Sequence, residues 1–313
     1  MEKMIIACTC DNNYTAHCGT LLTSIFENNK NRDIEIYILT DYIDEVNRGK
    51  FKILADLYNQ KINIIDIDIE SFKHLPFGGK FENITLATYY RLLIPSVFPQ
   101  LYNKVLYLDC DIIIRSDLYE LWSLNVDNCA FAAVEDALSQ IMECPVRLGY
   151  DVSELYYNAG VLLYNLVYLR EMHFFQKVEA YCRTNLVHIK FHDQDIINAL
   201  CHGKIQKIPI KWNIMDSFLF REPCIDSDYR KELDNALQNP NIIHYTGVLK
   251  PWFKECNHPY KSEYWYYRCL SPWKDGKEVN KYTGIKLIAV RMKYLIKMYL
   301  LSRTRIGKTL YRK

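Results

Sequence analysis

Several common signatures of nucleotide and metal chemistry are missing from this chain. It has no G-x-G-x-x-G fingerprint and no P-loop, so neither dinucleotide binding nor P-loop ATP binding is supported. None of its eleven cysteines forms a C-x-x-C pair, the closest two being Cys8 and Cys10, and no zinc module is indicated. An odd number of thiols scattered through apolar segments argues against a disulfide framework and for packed, reduced cysteines in a cytosolic protein. No apolar run reaches the length needed to cross a bilayer. Met1-Glu-Lys-Met runs directly into Ile5-Ile-Ala-Cys8, so no secretory leader is expected. Acidic residues are also missing from one region: between Val279 and Lys313 there are ten Lys and Arg and no Asp or Glu, which leaves the rest of the chain with a net charge of −8. A basic end on an acidic body points to an anionic surface as partner.

What is present is a large apolar fraction, half of the 313 residues, and 25 tyrosines. Short β-branched runs at Met4–Thr9, Ile34–Leu39 and Ile62–Asp68 predict strands. Between them, helical spacing predicts helices over His17–Asn29 and Asp44–Tyr58. This alternation predicts an α/β fold with a Rossmann-like, mostly parallel central sheet and helices on both faces. Further helices are expected at Thr85–Ile94, ended by Pro95, at Leu118–Trp122 and at Leu169–Thr184. A strand is expected at Ala130–Val134, and another helix after Phe191 with Asp193 as its N-cap.

The run Lys104-Val-Leu-Tyr-Leu-Asp-Cys-Asp-Ile-Ile-Ile114 organises the chain. It predicts one strand buried on both faces, in which Asp109 and Asp111 share a side and Cys110 faces the other. Two carboxylates in a buried sheet are costly without a cationic partner; a divalent ion at the strand's carboxyl end is the simplest one, and a pair that caps the following turn Arg115-Ser116-Asp117 is the alternative. The spacing alone is weak, because Asp66/Asp68, Asp193/Asp195 and Asp226/Asp228 share it. A second strong stretch, Ile242-Ile-His-Tyr-Thr-Gly-Val-Leu-Lys250, brings His244 to a strand end, followed by Gly247 and Lys250. His244 would complete a two-aspartate, one-imidazole site better suited to Mn²⁺ than to Ca²⁺. Toward the C-terminus, residues 285–301 place Lys286, Lys293 and Lys297 on one stripe and Ile285, Ile288, Met292, Leu295 and Tyr299 on the other. An in-plane membrane helix, a packed core helix and a nucleic-acid arm all fit that pattern, in that order.

Six motifs, taken together and in order, resemble glycosyltransferase family 8, the retaining GT-A enzymes. They are Thr9-Cys-Asp-Asn-Asn-Tyr14, Ala87-Thr-Tyr-Tyr-Arg91, Tyr107-Leu-Asp-Cys-Asp111, Tyr157-Asn-Ala-Gly160, Asp193-Gln-Asp195 and His244-Tyr-Thr-Gly-Val-Leu-Lys250. The resemblance spans about Met4 to Trp252. It implies a UDP-sugar donor, with Thr9, Cys10, Asp11, Asn13 and Tyr14 around the uridine and Tyr14 stacked on uracil. It implies Mn²⁺ (or Mg²⁺) on Asp109, Asp111 and His244, with Cys110 between the two acids. Gly247 and Lys250 would contact the diphosphate. Arg91, Asn158, Ala159, Gly160, Asp193 and Gln194 would surround the donor sugar, and Gln194, Asp193 and Arg91 would serve catalysis. The cysteines at Cys8 and Cys10 depart from the family's pattern, and Ser217–Asp234 has no match in it.

The expected reaction is transfer of galactose or glucose to a saccharide or glycolipid acceptor, such as lipopolysaccharide or another cell-surface glycan. The expected organisation is a GT-A domain over 1–270 and a basic aromatic tail over 271–313. The tail would attach a cytoplasmic enzyme to the anionic inner face of the membrane; no nucleic-acid partner is expected. Two other readings also use the acidic pair: a metal-dependent nucleotide-sugar hydrolase, and a membrane-tethered binder of UDP-sugars or glycans without turnover.

Overall fold

The computed structural model describes residues 2–68, 86–137, 143–220, 227–284, 286–290 and 292. The segment 69–85, which reads as a loop at Phe77-Gly-Gly-Lys, Asp226 and most of the amphipathic tail lie outside these residues.

Seven strands form the central sheet: β1 (Met4–Thr9), β2 (Ile34–Thr40), β3 (Lys61–Asp66), β4 (Lys104–Leu108), β6 (Phe131–Glu135), β7 (Tyr157–Asn165) and β8 (Ile205–Lys207). Their order across the sheet is β3-β2-β1-β4-β7-β6-β8. Six run the same way; β7 is antiparallel to both of its neighbours. A second sheet of three strands, β5 (Ile112–Ile114), β9 (Ile214–Met215) and β10 (Ile242–His244), has the order β5-β10-β9. β1 is buried along its whole length, as a strand covered on both faces must be. Helix α1 (Thr15–Asn28) buries Cys18, Leu21, Leu22, Ile25 and Phe26 in the main core. Helix α2 (Glu45–Tyr58) starts where the Asp44 carboxylate accepts a bond from the Asn47 N–H, a sequence-local cap that replaces one unmet helical donor.

The topology gathers one set of chain ends at one sheet edge. β1 ends at Thr9 and β4 at Leu108, while the opposed β7 begins there with Tyr157, Asn158 and Ala159. The Asp109 N–H donates to the Gly160 carbonyl at 2.9 Å, so the β4–β7 pairing continues to the first aspartate.

Four local expectations are corrected. The apolar run Val105–Ile114 is not one strand: it breaks at residues 109–111, and its two halves enter different sheets. Leu86–Leu93 is a 3₁₀ segment, and Pro95 sits in the first turn of the following helix Ile94–Val97 rather than ending one. Proline's missing N–H costs nothing at that position. The helix expected over Leu169–Thr184 is two, Leu166–Glu171 and Phe174–Asn185, divided at His173 with φ +54°. Asp193 is not an N-cap; the helix His192–Cys201 is preceded by Phe191 with no side-chain cap.

Candidate active site

At the carboxyl edge of the sheet, ligand atoms of Asp109, Asp111 and His244 all lie within 4.8 Å of one another. Among the described residues this is the one such group of three. Asp66 of the competing triplets is instead an ion-pair partner of Arg48, and Asp228 of Lys231. Because β4 and β5 belong to different sheets, the two acids sit at the turn between them. β10 then supplies the third group: it runs antiparallel to β5, with His244 opposite Ile112. His244 Nε2 is 3.2 Å from Asp111 Oδ1 and 3.8 Å from Asp109 Oδ2. Its Nδ1 is 2.9 Å from Asn213 Oδ1.

Glycine at position 160 keeps this cluster compact. A Cβ there would stand 2.2 Å from His244 Cε1 and 2.8 Å from Asp109 Oδ2. The two-oxygen, one-nitrogen donor set, packed against a backbone with no side chain in the way, fits a divalent cation of the Mn²⁺ type.

Arg91 is buried at the centre of the charge network. Its Nη2 is 2.8 Å from Asp109 Oδ1, and its Nε is 2.9 Å from Asp193 Oδ2. Nη1 donates to the Ala159 carbonyl at 2.8 Å, and the guanidinium lies over the Tyr107 ring, 4.7 Å from its centre. Burial works against a charged guanidinium, but Asp109 and Asp193 outweigh it and hold Arg91 protonated far above its usual range. For Asp193 the balance is reversed: burial pushes its carboxyl up to about 7, against the pull of Arg91. Burial also raises Asp111, but Lys250 and His244 win and keep it well below the usual carboxylate range. Lys250 Nζ is 2.6 Å from Asp111 Oδ2 and donates to the Tyr245 carbonyl.

Beside these groups opens a cavity of about 240 Å³. Of the residues singled out in the sequence, Thr9, Cys10, Asp11, Tyr14 and Arg91 line it, together with Asp109, Cys110, Asp111 and Lys250. Asp11 is committed locally: its carboxylate accepts the N–H groups of Asn13 and Tyr14 and shapes the turn after β1. The Tyr14 ring stands edge-on to Trp252, which stacks on His17 at 3.5 Å between centres. This aromatic clasp ties the β1 turn to the segment after β10. Asn158, Ala159, Gly160, Asp193, Gln194 and His244 do not line the cavity. Asn13 is exposed and Gly247 faces Asp216, 2.3 Å from where a Cβ would sit; neither lines the cavity.

Sequence reasoning missed three members of the network. The Tyr107 hydroxyl donates to Asp109 at 2.7 Å and is 3.0 Å from the Thr9 hydroxyl; strand alternation, two positions before Asp109, was the available signal. Asn213 and Asp136 touch the site only through the fold, and no local pattern marks them.

Sheet, strand-end acids and distant imidazole together define a glycosyltransferase of the GT-A fold. The chain belongs to glycosyl transferase family 8, whose model matches residues 5–256, and it is a retaining hexosyltransferase. Its sequence is 28% identical to lipopolysaccharide 1,3-galactosyltransferase of Salmonella typhimurium, over 91% of this chain and 84% of that one. It is 30% identical to a lipopolysaccharide 1,2-glucosyltransferase of Escherichia coli, over 85% and 78%. General stress protein A of Bacillus subtilis is 26% identical over 87% and 95%. Among solved structures, galactosyltransferase LgtC in complex with donor and acceptor sugar analogues superposes with a TM-score of 0.77, at 25% identity, covering 92% of this chain and all of that one. No helix among the described residues is long and apolar enough to cross a membrane.

Proposed function

We propose that this enzyme moves galactose or glucose from a UDP-sugar to a saccharide of lipopolysaccharide or another cell-surface glycan, with Mn²⁺ held by Asp109, Asp111 and His244. The observation that carries this reading is the convergence of those three ligands within 4.8 Å, with Asp109 and Asp111 lining a cavity that Lys250 and Arg91 also line. Relatives named for galactosyl and glucosyl transfer to lipopolysaccharide, and a neighbour solved with donor and acceptor sugar analogues, support the substrate class.

A bound divalent cation would neutralise the diphosphate as it leaves. The chain's own residues supply the rest. Lys250 adds a second positive charge at the same rim. Arg91, fixed by two carboxylates and a carbonyl, cannot swing away and is preorganised toward the donor. Tyr14, Thr9 and Cys10 take the uridine end of the cavity. Gln194 is held by the Ala159 N–H and by Asn158, both at 3.1 Å, and is assigned the position beneath the sugar. Transfer proceeds on one face of the sugar, without a covalent intermediate on Asp193. That a glutamine-to-glutamate variant of LgtC was solved as an active-site mutant supports a glutamine in this role.

The C-terminal basic segment is assigned to the cytoplasmic face of the membrane. Its first part is tied to the body: Trp273 donates to Asn47 at 2.8 Å, and the Val279 N–H donates to the Trp252 carbonyl. Lys281 and Tyr282 donate their N–H groups to the Glu255 carboxylate, and the separable part is therefore assigned to residues after Tyr282.

The test is UDP release from UDP-galactose and UDP-glucose, with Mn²⁺ or with chelator, across a panel of saccharide acceptors. Release that needs both Mn²⁺ and an acceptor is expected. Release independent of acceptor identifies a hydrolase, and tight UDP binding with no release identifies a binder; either overturns the proposal.

A further inference from the structure

Behind the metal ligand His244 runs a chain of side-chain amides whose direction is fixed by backbone. The Gly160 N–H, which only donates, points at Asn158 Oδ1 at 3.0 Å. That oxygen also accepts from Asn213 Nδ2 at 2.9 Å. Asn213 must therefore present its own Oδ1 to His244 Nδ1, at 2.9 Å, and the imidazole must donate from Nδ1. In the other direction, the Ala159 N–H donates to Gln194 Oε1 at 3.1 Å, which fixes that amide as well. Asn158 Nδ2 donates to the same oxygen at 3.1 Å, and Gln194 Nε2 donates to Asp136 Oδ2 at 3.1 Å. Asn158 and Asn213 are almost fully buried.

We infer that His244 Nδ1–H, Asn213, Asn158, Gln194 and Asp136 form one unidirectional hydrogen-bond relay, and that Asn213 and Asp136 are positioning residues for the cation site. Every amide accepts at oxygen from one side and donates at nitrogen to the other, and a carboxylate terminates the row. A metal-binding histidine is ordinarily oriented by a direct carboxylate or carbonyl acceptor at its other nitrogen. Here the acceptor is an amide, and the carboxylate acts through three amides. Donor rows of this kind polarise one another. The relay takes the Nδ1 proton of His244 and leaves Nε2 as the ring nitrogen aimed at Asp109 and Asp111. It also passes through Gln194, so the orientation of the amide assigned to the sugar is coupled to the ligand assigned to the metal. This inference rests on the proposed cation site for its metal consequence, but the Nδ1–H donation itself does not.

The experiment has two arms on the full-length protein. Mn²⁺ affinity is measured by electron paramagnetic resonance for wild type, Asn213→Ala and Asp136→Asn. Asn213→Ala is expected to bind Mn²⁺ about 10- to 100-fold more weakly, as loss of such an orienting partner usually does. Asp136→Asn keeps the shape but removes the terminal charge, and a loss of roughly 2- to 5-fold is expected from weakened polarisation. If Asn213→Ala does not fold, the isosteric Asp136→Asn carries the metal arm alone. In the second arm, ¹⁵N NMR of the metal-free wild type at pH 8 reads the His244 ring: a protonated Nδ1 is expected. An unprotonated Nδ1, or unchanged Mn²⁺ affinity in the folded variants, overturns the relay. If the wild type binds no Mn²⁺ at all, the proposed cation site falls while the NMR arm still decides the relay.

Discussion

Arg91 is the residue on which the charge balance of the site turns. It neutralises two buried carboxylates at once, Asp109 at 2.8 Å and Asp193 at 2.9 Å, and removing one member of such a cluster leaves a buried charge unpaired. Arg91→Lys keeps the charge but cannot reach both acids in a planar fork. A kcat loss of about 100-fold is expected from steady-state UDP release, comparable to losing one preorganised donor; activity within a few-fold of wild type would remove Arg91 from the mechanism. Asp193 predicts a pH effect with two opposite signs. Its carboxyl titrates at about 7 because burial penalises the anion. Below that pH it takes a proton and Arg91 loses an anionic partner, so kcat should fall on the acid side of 7, and Asp193→Asn should flatten that limb. The folded pKa lies above the ordinary carboxyl value of 3.8, so the group's contribution to stability is present below that value and is lost as pH rises through 7. Denaturant melts at pH 6 and pH 8 should show wild type losing more stability over that step than Asp193→Asn.

At the scale of elements, the site exists because two sheets meet at one turn. β4 ends and β5 begins on either side of Asp109 and Asp111, and β10 brings His244 alongside through its pairing with β5. The acids were visible in the sequence as polar breaks in an apolar run, and His244 as the end of a short strand. The break between sheets was not visible, because both halves of the run are equally apolar and periodicity carries no information about which sheet a strand joins. Pro95 misled for a related reason: proline marks a helix boundary but does not say which side of it the helix lies on. Asn213 and Asp136 were illegible because their role is set by neighbours far away in sequence. The junction makes Gly160 sensitive. Gly160→Ala would press a Cβ to 2.2 Å from His244 Cε1, so a destabilisation of about 1–3 kcal/mol is expected from overpacking, read by denaturant melts. Mn²⁺ affinity should fall with it; a variant as stable and as metal-competent as wild type would show that the junction can relax.

For the whole molecule, the acidic body and basic end predict a division of labour. The strand-end chemistry belongs to the sheet edge, while Lys281 and Lys286, the described cationic residues after Val279, do not line the cavity. Truncation after Gly284 should leave turnover on a soluble saccharide acceptor within about twofold, while abolishing sedimentation with vesicles containing anionic lipid, since juxtamembrane cations contribute roughly 1 kcal/mol each to such binding. Vesicle binding that survives truncation would place the membrane-facing surface elsewhere.

The most direct test of the central claim is anomalous diffraction from a crystal soaked with Mn²⁺ and UDP. A manganese peak at coordination distance from Asp109, Asp111 and His244, in contact with the diphosphate, is the result expected. A well-ordered UDP whose diphosphate lies away from these three residues, with no manganese peak between them, would contradict it.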